Sequence, residues 1–110
     1  MTYDALLADR VRACLGGSPH DERAMFGGLA FLVGGHMAVA AGGGGGLLVR
    51  CDPVDLPEHG ATDGVAPMVM RGRPMTGWLH VAAEAVEDDD ALRHWVDVGL
   101  AYVAGLPAKR

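Results

Sequence analysis

Five histidines, two cysteines and six methionines are the imidazole and sulfur groups with which this 110-residue chain could bind a soft or borderline metal. Transition ions are held by neutral imidazole or thiolate groups that several positions deliver to one point. His20, His36, His59, His80 and His94 do not pair at short ligand spacing, and Cys14 and Cys51 form no CxxC motif. Met25, Met37, Met68, Met70 and Met75 would suit Cu(I), but they are spread over four strand-like segments and read as flexible core filler. Neither metal nor cofactor is expected.

Nucleophilic catalysis needs an activated Ser, Cys or Thr with a base and an orienting group. Ser18, the only serine, stands beside Pro19-His20-Asp21. A triad is gathered from separated elements, so residues this close serve turns and caps. Cys51 has Arg50 as a neighbour, yet adjacent strand residues point to opposite faces. The chain is expected not to be an enzyme.

Arg23, Arg50, Arg71 and Arg73 form a different set, since a guanidinium binds carboxylate or phosphate through paired donors. They are the candidate anion-binding residues, with Arg71 and Arg73 at its centre. The alternative is ion pairing with Asp52, Asp55 and Glu58, or with the five acids between Glu84 and Asp90.

The formal charge of −5 has the wrong sign for a protein that gains affinity by neutralising phosphates, so direct nucleic-acid binding is not expected. The start lacks the basic and apolar regions of a signal peptide, and no apolar run is long enough to span a bilayer. A cytoplasmic location without membrane attachment, and reduced buried thiols, are expected.

These residues must be positioned by few elements, because a chain of this length builds one domain. Leu7, Val11, Cys14 and Leu15 recur at helical spacing between Tyr3 and Leu15, with Thr2 as cap and Asp4 on the positive end of the dipole. Three apolar runs, Met25 to Val33, His36 to Ala41 and Leu47 to Cys51, read as an antiparallel meander turned at Gly34-Gly35 and at the run Gly42 to Gly46. Gly27-Gly28 marks a bulge or a close backbone approach. Asp52-Pro53 opens a helix that Pro57 limits to a turn or so. Strands resume at Ala66 to Met70 and Gly77 to Ala82. A last helix carries Leu92, Trp95, Val96, Gly99, Tyr102, Val103 and Leu106 on one face, with Gly99 allowing a close approach to the sheet and Pro107 ending it. The order α-β-β-β-α-β-β-α predicts an α+β, two-layer fold: a five-stranded antiparallel sheet with helices on one face.

Three motifs, Glu22-Arg23-Ala24-Met25-Phe26-Gly27-Gly28-Leu29-Ala30-Phe31, Gly46-Leu47-Leu48-Val49-Arg50 and Gly72-Arg73-Pro74-Met75-Thr76-Gly77-Trp78, occur in this order. With the flanking helices they resemble the TfoX N-terminal domain family over nearly the whole chain. The resemblance implies a secretion-chaperone-like fold, a bacterial source and a regulatory, protein-binding role, the family being named for a regulator of natural competence. Many members are stand-alone domains, as this chain is expected to be. The segment after Asp52 departs from the longer helix of members like the regulator.

One further expectation comes from the strands. Met25 to Val33 and Met37 to Ala41 contain no polar side chain and Leu47-Leu48-Val49 continues the pattern, so the sheet face away from the helices is predicted to be apolar. Two copies joined through that face in twofold symmetry would bury it, which predicts a homodimer.

Overall fold

The computed structural model describes residues 5–16, 20–25, 28–42, 46–59, 61–70 and 72–107. Helix α1 (Ala5–Leu15) leads into strands β1 (Asp21–Met25), β2 (Gly28–Val33), β3 (His36–Ala41) and β4 (Leu47–Arg50). A 3-10 turn at Pro53–Asp55 runs into the one-turn helix α2 (Leu56–His59). Strands β5 (Val65–Met70) and β6 (Arg73–Val81), a second 3-10 turn at Ala83–Val86 and helix α3 (Asp89–Ala104) complete the chain. The expected α+β class holds, but the sheet has six strands, not five, in the order β1-β2-β3-β4-β6-β5, with every neighbouring pair antiparallel.

The additional strand is β1. Asp21, Glu22, Arg23 and Ala24 are all exposed, so the segment carries no apolar alternation to mark it. An edge strand has one unpaired side, and charges there discourage pairing with other chains. The run from Met25 to Val33 is thus two strands: Met25 pairs with Gly28, closing a hairpin where one continuous strand is predicted. Gly28 meets the expectation of close approach, since a Cβ there would lie 2.5 Å from the Ala41 carbonyl oxygen. Gly34 and Gly35 turn between β2 and β3 with φ of 61° and 83°, the conformation a primed two-residue turn requires.

Helices α1 and α3 pack on one face of the sheet. Leu7, Val11 and Leu15 of α1, with Leu92, Trp95 and Val96 of α3, meet Leu29, Phe31, Val39, Leu47, Val49, Leu79 and Val81. The carboxylate of Asp88 caps α3 by accepting from the Ala91 N–H at 3.1 Å, and Asp89 and Asp90 occupy its first turn. Gly99 brings the helix backbone against β3, where Ala38 is the extra residue of a register shift. The predicted cap at Thr2 and dipole partner at Asp4 lie outside the described residues.

The other sheet face is apolar as expected, and its centre is buried within one chain. Ala30, Leu32, Ala40 and Leu48 retain at most 9% of their exposure, with Met37, Met68 and Trp78 packed around them. Among the described residues no helix is long and apolar enough to cross a membrane.

Candidate functional site

A cleft lies at the end of the sheet where β4 stops and α3 finishes. Strand β4 ends at Arg50 and is followed by Cys51 and Asp52. The Cys51 N–H still donates to the Gly77 carbonyl at 2.8 Å. The Asp52 side chain accepts from the Val54 N–H at 3.0 Å and its carbonyl from the Asp55 N–H at 2.9 Å, which starts the 3-10 turn; Pro57 then stands in the first turn of α2, where its missing N–H is tolerated. Gly77 adopts φ 86°, and a Cβ there would lie 3.2 Å from the Cys51 carbonyl oxygen. The left-handed φ is what favours glycine at this position.

This corner and the last turns of α3 enclose a cleft of about 530 Å³. Val98, Ala101 and Leu106 supply its apolar wall; Asp52, Asp55, His59 and Tyr102 supply polar groups. His59 is held by an edge-on contact with Trp95, with ring centroids 5.5 Å apart. Cys51 lines the cleft but is buried, and its thiol is pushed up by burial first, then by the negative charges of Asp55 and Asp52. A thiol so raised is a poor nucleophile at neutral pH. Cys14, half-buried on α1, is also raised, again mainly by burial.

Arg50 stands beside the cleft. Its guanidinium carbon lies over the Trp78 ring at 5.6 Å and over the Tyr102 ring at 5.4 Å, so it joins β4, β6 and α3. The structure does not gather the four arginines into one group. Arg23 lies on β1, with β2 and β3 between it and Arg50, which is about 14 Å at ordinary strand spacing. Arg73 is exposed at the hairpin end of β6, paired in register with Met70, and Arg71 lies outside the described residues.

Nor are the acids used as the alternative supposed. Arg10 takes Asp89 at 3.0 Å and the carbonyls of Val86 and Glu87 at 2.8 and 3.0 Å, tying α1 to the start of α3. Arg12 grips Glu22 with two bonds of 2.8 and 2.7 Å and also reaches Asp9. The Arg12 hydrogen bond is the largest reason the Glu22 carboxyl falls to about 2, with His20 at 3.1 Å assisting. Among the described residues Arg23, Arg50 and Arg73 take part in no ion pair.

The histidines are dispersed: His36 meets the Pro107 carbonyl at 2.6 Å, His94 stacks edge-on against Trp95, and His80 is exposed. Among the described residues no group of three or more His, Cys, Asp or Glu could hold a metal ion. The partnership of Arg50 with Trp78 and Tyr102 escapes sequence reasoning, because it depends on the β4–β6 register and on where α3 crosses it.

A two-layer α+β domain with helices on one sheet face and a cleft at one end of its long helix defines the class of protein. Residues 14–102 match the TfoX N-terminal domain, and the chain belongs to that family. No curated protein and no solved structure matches it.

Proposed function

We propose that this chain is a non-enzymatic interaction domain that acts in regulation through protein contacts. The observation that carries the reading is the cleft at the end of α3: it offers an apolar wall and a polar rim to an incoming side chain, while its one sulfur nucleophile is buried and held protonated. Such a surface seats a partner without arming a reaction. Family membership supports the same reading.

The test places a photo-crosslinking amino acid at Ala101, in the cleft wall, and separately at exposed Glu84, in cells that make the protein. One discrete protein adduct from position 101, and none of that size from position 84, is expected. Equal labelling from both positions, or none, refutes the reading.

Self-association in twofold symmetry is part of the proposal, and it rests on less area than the sequence implies. Leu32 and Leu48 are 8% and 9% exposed, so a second copy meets mainly the surrounding Met37, Met68 and Trp78. Light scattering at tens of micromolar decides it: twice the 11.4 kDa chain mass supports pairing, and the mass of one chain removes it.

A further inference from the structure

We infer that Arg50 is the receptor for a single carboxylate group, presented at the edge of the α3 cleft. The inference does not rest on a protein partner. Two aromatic rings hold the guanidinium, at 5.6 Å for Trp78 and 5.4 Å for Tyr102. Ring faces attract the cation through their quadrupoles, but they accept few or none of its five N–H donors. Among the described residues no carboxylate pairs with Arg50 and no hydrogen bond uses its donors, in contrast to Arg10 and Arg12.

A half-buried guanidinium with fixed position and free donors has already lost much of the entropy that binding would otherwise cost it. Its planar fork matches the two oxygens of a carboxylate in a bidentate pair. Tyr102 belongs both to the ring contact and to the cleft wall, so an acid bound at the fork extends its remainder along Val98, Ala101 and Leu106. Asp52 and Asp55 line the same cleft and set the charge selectivity. They repel a dianion such as phosphate more strongly than a monocarboxylate whose remainder is neutral or cationic. A free small acid and the C-terminus of a peptide share this chemistry. Neither Arg23 nor Arg73 is needed.

The test is NMR of the Arg50 Nε–H and the Trp78 indole N–H during titration of the intact chain with acetate, inorganic phosphate, and a short acetylated peptide ending in leucine, as free acid and as amide. Acetate is expected to shift both signals saturably. Arg50→Lys, which keeps the charge and loses the fork, is expected to weaken binding at least tenfold. A free-acid peptide that binds more tightly than acetate, with its amide silent, assigns the ligand to a peptide C-terminus; equal affinities assign it to a free acid. Phosphate binding tighter than acetate overturns the inference. So does the absence of saturation at tens of millimolar, or binding unchanged in Arg50→Lys, since Arg50 would then only join β4 and β6 to α3. Should Arg50→Lys fail to fold, the wild-type titrations with acetate and phosphate decide the matter alone.

Discussion

Replacing Gly99 by alanine tests how tightly α3 is seated on β3. In an exposed helix this change stabilises by about 1 kcal/mol, because glycine is the poorer helix former. Here the added Cβ would lie 2.5 Å from the Ala38 carbonyl oxygen and 3.0 Å from Val39 Cγ1. The first contact is about 1 Å inside ordinary carbon–oxygen separation, and the oxygen is backbone, so it cannot rotate away. Helix α3 must lift, loosening Trp95, Val96 and Val103 together. Overpacking of this kind costs about 1–3 kcal/mol. Taking the upper end and subtracting the propensity gain leaves a net loss of about 2 kcal/mol. For a domain of this size that is a fall in Tm of roughly 10 °C. Urea denaturation of Gly99→Ala beside Gly105→Ala measures it, since a Cβ at Gly105 meets nothing nearer than 3.5 Å. The control should change by no more than about 0.5 kcal/mol. A Gly99→Ala protein as stable as wild type would refute the close seating of α3.

Three other outcomes are expected. Glu22 has its carboxyl lowered from an ordinary 4.5 to about 2, so its contribution is present above pH 4.5 and lost as pH falls towards 2. Glu22→Gln should therefore be less stable than wild type at pH 7 and equal to it near pH 2; a difference independent of pH would show that the Arg12 contact is not electrostatic. Cys51, buried and raised in pKa, should react with a thiol reagent at pH 7 far more slowly than in urea, followed by mass spectrometry; rapid native labelling would contradict its placement. Duplex DNA should bind weakly and without sequence preference at physiological salt, given a charge of −5; a sub-micromolar sequence-dependent complex in a mobility shift would contradict this.

The elements with strong periodicity were legible from residues alone. Leu92, Trp95, Val96 and Val103 mark α3, and Gly99 touches the sheet as its place on the apolar face implies. Strand β1 was not legible, because an edge strand is stabilised by backbone pairing with β2 and needs no apolar alternation of its own. The burial at the centre of the second face is not legible for a related reason. Alternation tells which side chains share a face, whereas the burial of Ala30 and Leu48 depends on the packing of Met37, Met68 and Trp78 around them. Of the four arginines, only Arg50 gained a defined setting, and that setting is made by residues 28 and 52 positions further along the chain, Trp78 and Tyr102. Local sequence holds no trace of such a contact.

On the proposed reading the cleft beside α3 is a binding surface. Calorimetric titration of the purified crosslinked partner into wild-type protein and into Ala101→Arg tests it most directly, with circular dichroism showing that both are folded. Ala101 is exposed on α3, so arginine there fills the cleft without entering the core. Saturable binding to wild type, weakened at least tenfold by Ala101→Arg, is the predicted result; equal binding to the two proteins would contradict the claim.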